Sequence, residues 1–416
     1  MTMYNRIIDN SWNFRTADTK EYTHCYHAYP AMMIPQVART LIEMYAPKDK
    51  CDLIFDPYMG SGTSLVEASL KGINSIGTDI NPLARLISEA KTTHFNINRI
   101  EKYFTEIQLF PFTYSIDKVL KTDFSRISNY LFWYSEEVLL KLSYISQCID
   151  TYEKDVQLFF KIALSEVVRE VSYTRNGEFK RFRMPEEKIK TFNPDVFATY
   201  ESKLYRNIEG LKQYNSLQTN AKTRIFDFNT VYDIPNGILP DESVDMIVTS
   251  PPYGDSHTTV AYGQFSRWAN EWFDLPNAKN LDNLLMGGNK KAIKQFETEH
   301  ISKELSEIEN SDCKRYAEVV SFLNDYHNSI THIAPKIRKG GRICFVVGNR
   351  TVKGIQIPLD YFTAESFEKE GFTHETTIVR EIPNKRMPSK TSPTNKPCAK
   401  VATMSNEYIV VMTKKS

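Results

Sequence analysis

Apolar and polar positions fall in blocks along this chain, and the period changes from block to block. Residues 32–45, "MMIPQVARTLIEMY", carry apolar side chains at helical spacing. The continuous run "CDLIF" then predicts a short buried strand ending at Asp56. "SLVEASLKG" predicts a helix closed by Gly72, and "NSIGTDI" a second strand. Strand, glycine-rich turn, helix, strand is the order of a parallel βαβ unit. From about Thr93 to Lys222 the pattern is helical only, as in "EEVLLKLSYISQCI" and "VQLFFKIALSEVVREV". The βα pattern resumes with "TRIFDFN", "VDMIV" and a helix over 313–336. "GGRICFVVGN" reads as a strand entered through Gly340-Gly341. "HETTIVREI" and "EYIVVMT" predict two antiparallel strands joined by a long polar loop. Residues 1–30 read as loop-rich, and the Lys/Glu-rich stretch 286–312 as a solvated helical excursion. The expected class is α/β with a mostly helical insertion, divided as 1–92, 93–222 and 223–416.

Composition changes this picture little. The 416 residues are 41% hydrophobic and 25% charged, enough for two or three domains' worth of core. Net charge is +1, so a case for nucleic acid must rest on local patches. The six cysteines are scattered, with no paired metal-ligand spacing, so no metal site is expected. "MTMYNRIIDNSWNF" has no basic region followed by an apolar run, and no run spans a bilayer. Free thiols and a cytoplasmic location are the expectation.

Two constellations carry chemistry. In "DPYMGSGTSLVEA", Asp56 closes a strand and is followed by Pro57, Gly60, Ser61, Gly62, Thr63 and a helix. Glycines admit a ligand close to the backbone, and a helix start offers unpaired N–H groups. A phosphate-binding P-loop is excluded because no Gly-Lys-Ser/Thr follows. Asp79, Ile80 and Asn81 end the next strand, where an acidic side chain suits the two hydroxyls of a ribose. A plain turn before Pro82 is the alternative for Asp79.

The second constellation, "TSPPYGD", ends the strand "VDMIV". The carboxyl ends of parallel strands are where open α/β sheets bind ligands. Two prolines stiffen the turn and leave its carbonyls free. Ser250 and the Pro251 carbonyl are acceptors for an amine, Pro252 rigidifies them, and Tyr253 offers a flat face for a base. A turn of purely structural use is the alternative.

Together, "DPYMGSGT" and "TSPPYGD" resemble the amino-methyltransferases that move a methyl group from S-adenosylmethionine to an exocyclic amine of a nucleic-acid base. Ser-Pro-Pro-Tyr is typical of N4-cytosine DNA methyltransferases, whereas Asn- or Asp-Pro-Pro-Tyr is commoner for N6-adenine. "HAYPA" resembles the family's cofactor-covering segment, here Tyr29, Pro30 and Ala31. "AMMIP" departs from it, lacking the basic or aromatic residue expected there. "IFDFN" resembles the segment contacting the cofactor adenine, here Asp227 and Phe228. The resemblance covers residues 20–92 and 223–416. It implies a Rossmann-like class I methyltransferase sheet with an antiparallel last strand, S-adenosylmethionine as cofactor, and a base flipped out of double-stranded DNA. It further implies a modification enzyme of a restriction–modification system, with a cognate endonuclease as companion. The setting implied is the nucleoid of a bacterial or archaeal cytoplasm, as monomer or dimer. A C5-cytosine enzyme is excluded, since the only Pro-Cys pair, Pro397-Cys398, lies in the late polar loop.

DNA contact is expected from the insertion. "REVSYTRNGEFKRFRMP" interleaves Arg169, Arg175, Lys180, Arg181 and Arg183 with Tyr173, Phe179 and Phe182 around an Asn176-Gly177 turn. Lys385 and Arg386, in the late loop, are further candidates. A solvated charged surface is the alternative for both. An N6-adenine DNA enzyme, an RNA guanine-N2 enzyme and a non-catalytic DNA-binding partner are the competing functions. The intact "GSGT", Asp79 and "SPPY" argue against the last.

Overall fold

The computed structural model describes residues 4–119, 122–217, 219–255, 259–288, 298–382 and 404–416. Ten strands occur among them: β1 (Arg6–Ile8), β2 (Leu53–Asp56), β3 (Asn74–Thr78), β4 (Thr223–Phe226), β5 (Val244–Thr249), β6 (Ile337–Val347), β7 (Thr351–Val352), β8 (Ile355–Gln356), β9 (Phe372–Glu381) and β10 (Asn406–Lys414). Eight form one sheet in the order β1-β9-β10-β6-β5-β2-β3-β4, and β7 and β8 form a small ribbon. β10 runs antiparallel to both β6 and β9, and every other pairing in the large sheet is parallel.

Parallel strands covered on both faces need apolar side chains on both. All six residues of β5 are buried accordingly. Along β5 and β6 the side chains alternate between two cores. Ile247, Ile343 and Phe345 join the core under the helices Cys313–Ile333 and Leu359–Lys369. Met246, Val248, Cys344 and Val346 face the other way, against helix α1 (Pro35–Tyr45) and Trp12.

Helix α2 (Thr63–Leu70) follows β2, and α3 (Pro82–Thr92) follows β3. Asn81 caps α3, its side chain accepting from the Leu83 N–H, with Pro82 at the first helical position. The chain leaves β2 sideways to β3 and returns on the other side as β5. That reversal opens a crevice at the carboxyl ends of β2, β3 and β5, the topological switch point of an open sheet.

The insertion is helical, as its periodicity predicts. Ile97–Gln108, Glu136–Thr151, Lys154–Glu170 and Val196–Asn215 are its long helices. Its core does not stop at the segment boundary. Leu142, Phe160 and Leu204 belong to the same apolar cluster as Leu83 and Ile87 of α3 and Trp268 and Trp272 of the helix Tyr262–Trp272.

Three expectations are corrected. Residues 6–8 are an edge strand; all three are exposed and pair with β9 through backbone, so no side-chain alternation marks them. β6 begins at Ile337, and Gly340, with φ 72°, lies inside it opposite an irregularity in β5. The segment after 286 is not wholly solvated: Leu305 and Ile308 of the helix Ser302–Ser311 are buried. Among the described residues no helix is long and apolar enough to cross a membrane.

Candidate active site

The crevice holds a cleft of about 920 Å³, counting the part open to solvent. Its walls come from separate stretches of chain: Tyr29, Pro30 and Ala31; Asp56, Pro57, Gly60, Ser61 and Thr63; Asp79, Ile80 and Asn81; Phe228; and Ser250 with Pro252. Both sequence constellations therefore meet in one space. Four of the expected residues stand outside the lining: Gly62, Asp227, Pro251 and Tyr253. Asp227 is exposed just past β4, and it is Phe228 that turns inward. Gly62, at φ 75°, starts α2 and sits where a Cβ would lie 2.7 Å from Ser88 Oγ.

Several further residues, outside the expected set, line the walls. Thr78, Asn229 and Thr230 extend the strand ends, Met32 and Met33 occupy the "AMMIP" stretch, and Leu285 and Met286 close another side. Tyr262, from beyond the Ser-Pro-Pro-Tyr turn, also lines the cleft and stacks on Tyr29 with ring centroids 6.0 Å apart. Met286 carries no sequence signal, since a lone methionine is ordinary core filling.

Two carboxylates lie at the floor, Asp56 buried and Asp79 half-buried. Asp56 Oδ1 accepts from Thr249 Oγ1 at 2.5 Å and from the Tyr58 N–H at 3.1 Å. Asp79 accepts from the Gly60 N–H at 3.1 Å and the Asn81 N–H at 2.7 Å. Burial pushes each up to about 6, against the hydrogen bonds that favour the ionised form. Among the described residues neither makes an ion pair, although Arg85 lies near enough to favour the ionised Asp79, so the cleft suits a ligand that brings positive charge and hydroxyl donors. Ionised carboxylates keep acceptor capacity beyond the two bonds each makes here. The glycine loop is held from behind: Lys91 Nζ, 1% exposed, donates to the Ser61 carbonyl at 2.9 Å. Deeper still, Glu67 of α2 accepts from His24 and, bidentately, from Arg39.

Past β5, Ser250 Oγ lies 3.1 Å from the Tyr253 hydroxyl, which donates to Glu407 at 3.2 Å. The Tyr253 ring packs on Gly348, where a Cβ would come within 2.6 Å of it. Asp255 is buried and ion-paired to Arg350 at 3.2 Å. His257 lies outside the described residues.

The basic stretch of the insertion forms a hairpin closed by an antiparallel bridge between Thr174 and Arg183. Arg175 is exposed at its side, while Lys180 is half-buried. Arg183 lays its guanidinium 4.3 Å from the Phe132 ring centre. Arg181 turns inward, 4.6 Å from the Trp268 ring centre and 5.6 Å from that of Trp133. Phe179 and Phe182 point outward and are exposed. The hairpin is bolted to the helix Tyr262–Trp272: Trp268 Nε1 donates to Thr174 Oγ1 at 3.0 Å, and Arg169 stacks 4.7 Å over Phe265. Lys385 and Arg386 lie outside the described residues.

Several known proteins are similar to this chain. A family model described as DNA methylase matches residues 3–89. The type II methyltransferase M.MvaI of Kocuria varians is 39% identical, over 98% of this chain and 95% of its own length. The type II methyltransferase M.BsoBI of Geobacillus stearothermophilus is 23% identical, over 86% of this chain and 80% of its own. Among solved structures, a SAM-dependent methyltransferase from Methanosarcina mazei aligns over 90% of this chain and 97% of its own, at 9% identity and a TM-score of 0.35.

Proposed function

The chain belongs to the type II DNA methyltransferases, and from that premise we propose that it methylates the N4 amine of a cytosine flipped out of double-stranded DNA, with S-adenosylmethionine as donor. The observation that carries this reading is the presence of Ser250 and Asp79 on the walls of one cleft. The donor, when bound, supplies a methyl group already activated on a sulfonium. What remains for the protein is positioning. Asp79 takes the ribose hydroxyls, Asp56 and the Gly60–Thr63 turn border the methionine part, and Phe228 flanks the adenine. Tyr29, Pro30 and Ala31 cover them. Ser250 Oγ and the Pro251 carbonyl accept the hydrogens of the target amine and favour a pyramidal nitrogen whose lone pair faces the methyl. The Tyr253 ring supports the flipped base. The insertion hairpin, through Arg175, Lys180 and Arg183, contacts DNA phosphates, with Lys385 and Arg386 adding charge. A cognate restriction endonuclease accompanies the enzyme, which works on cytoplasmic DNA.

Serine at position 250, rather than the asparagine or aspartate commoner in adenine enzymes, supports cytosine. The test is direct. Purified protein, labelled donor and DNA should yield N4-methylcytosine after digestion to nucleosides. N6-methyladenine as the only labelled product would overturn the base assignment.

Acidity should weaken donor binding. The ionised forms of Asp56 and Asp79 accept hydroxyls and oppose positive charge, and burial sets both groups at about 6. A cationic donor stabilises those ionised forms and draws both values down. The dissociation constant should therefore be flat well above pH 6 and rise as pH falls through it, by up to about tenfold per pH unit for each carboxylate. Calorimetric titration between pH 5 and 8 checks this; a flat profile would contradict the placement of these carboxylates at the donor.

A further inference from the structure

Resting on the reading of Ser250 as amine acceptor, we propose that Glu407 and Arg380 are positioning residues that fix the direction of the Ser250 hydroxyl. Tyr253 has a single hydroxyl proton and two neighbours, Glu407 Oε1 at 3.2 Å and Ser250 Oγ at 3.1 Å. An ionised carboxylate only accepts, so the tyrosine proton goes to Glu407. Ser250 must then be the donor in its bond to Tyr253. Its own proton points away from the cleft, and its lone pairs point into it. A serine so held meets an amine hydrogen as an acceptor; a serine turned the other way would set O–H against N–H.

Arg380 secures the far end. Its Nη1 donates to Glu407 Oε2 and its Nε to the Trp12 carbonyl at 2.8 Å, and the residue is 4% exposed. It comes from β9 and Glu407 from β10, as cross-strand partners in register. The relay thus runs from two strands of the sheet to the turn after β5: Arg380, Glu407, Tyr253, Ser250. Burial, followed by the nearby Glu407 charge, holds the Tyr253 hydroxyl well above the ordinary tyrosine range, so it stays a donor at every pH the enzyme meets.

The relay makes an ordered prediction about three variants. In Glu407→Gln, Arg380 claims the amide oxygen, so the amide N–H₂ faces Tyr253. Tyr253 becomes an acceptor there and sends its proton to Ser250, reversing the serine. Methyl transfer should fall in kcat on the order of 100-fold, the scale for a lost or reversed polar contact at a reacting group, with little change in donor KM. Tyr253→Phe keeps the ring and frees the serine to rotate, so its loss should be smaller, about tenfold. The decisive variant is Glu407→Gln with Tyr253→Phe. Without the tyrosine hydroxyl the reversed signal has no carrier, so the double variant should be faster than Glu407→Gln alone and match Tyr253→Phe.

Thermal unfolding of each variant separates this from misfolding, because a merely structural Glu407 gives a double variant no better than the single one. That outcome, or a Glu407→Gln enzyme with unchanged kcat, overturns the relay. Rates are read as total label in DNA amines, so an adenine product corrects the base assignment without touching the relay. A wild-type protein that labels no amine in DNA overturns both.

Discussion

Asp79→Ala should raise the dissociation constant for S-adenosylmethionine by about 100-fold. A hydrogen bond to a charged acceptor contributes roughly 1.5–3 kcal/mol, so losing the ribose contacts costs about 3 kcal/mol. The Gly60 N–H also loses its partner, and with it the turn that faces the donor loses an anchor. The empty protein should keep its stability. Asp79 is half-buried and, among the described residues, makes no ion pair, only a longer-range attraction to Arg85, so its removal lifts a desolvation penalty that offsets the two lost backbone contacts. Calorimetry with the donor, alongside thermal unfolding of the empty protein, separates the two effects. Affinity within threefold of wild type would dismiss Asp79 as the ribose acceptor and leave it as a turn residue before Pro82.

Gly62→Val should cost about 3 kcal/mol of stability, read from the midpoint of denaturant unfolding. Two causes add. The residue holds φ 75°, a left-handed conformation worth roughly 1–2 kcal/mol against a residue with a Cβ. The new Cβ would also lie 2.7 Å from Ser88 Oγ and 3.1 Å from Ser88 Cα, an overpacking of about 1–3 kcal/mol. Combining it with Ser88→Gly should recover only the part owed to the serine side chain. Full recovery would mean that the backbone conformation costs nothing. The effect is one of packing between α2 and α3, so Gly62 serves the site by letting Gly60 and Ser61 reach the cleft.

The legible features were those in which local pattern and final contact coincide. The βαβ unit around Asp56 and Asp79 could be read because its strands, turn and helix follow one another in sequence and each has its own period. The antiparallel β10 could be read because β9 carries the β-branched run Thr376–Val379 and β10 the apolar run Tyr408–Met412, with only a polar stretch between them. Residues 6–8 were not legible, because an exposed edge strand is held by backbone hydrogen bonds that any side chain permits. Met286 and Thr230 were not legible as site residues either. They reach the cleft only because distant segments fold back over it, and nothing in their neighbourhoods changes period there. Asp227 illustrates the converse: of the two residues expected from "IFDFN", Phe228 lines the cleft and Asp227 is exposed. Arg181 was read with its basic neighbours, but its place between Trp133 and Trp268 depends on a helix some eighty positions later.

The helix Tyr262–Trp272 limits how this enzyme could be re-engineered. Its first turn stacks on Tyr29 at the cleft, and its later turns carry Trp268, which holds the hairpin through Thr174, and Glu271, which accepts from the Ser128 N–H and hydroxyl at 2.9 and 2.8 Å. A transplant of residues 93–222 alone from a relative would arrive without its matching socket. The unit that can be swapped is discontinuous in sequence: the insertion together with this helix, spliced so that Tyr262 stays with the recipient and Trp268 and Glu271 travel with the donor.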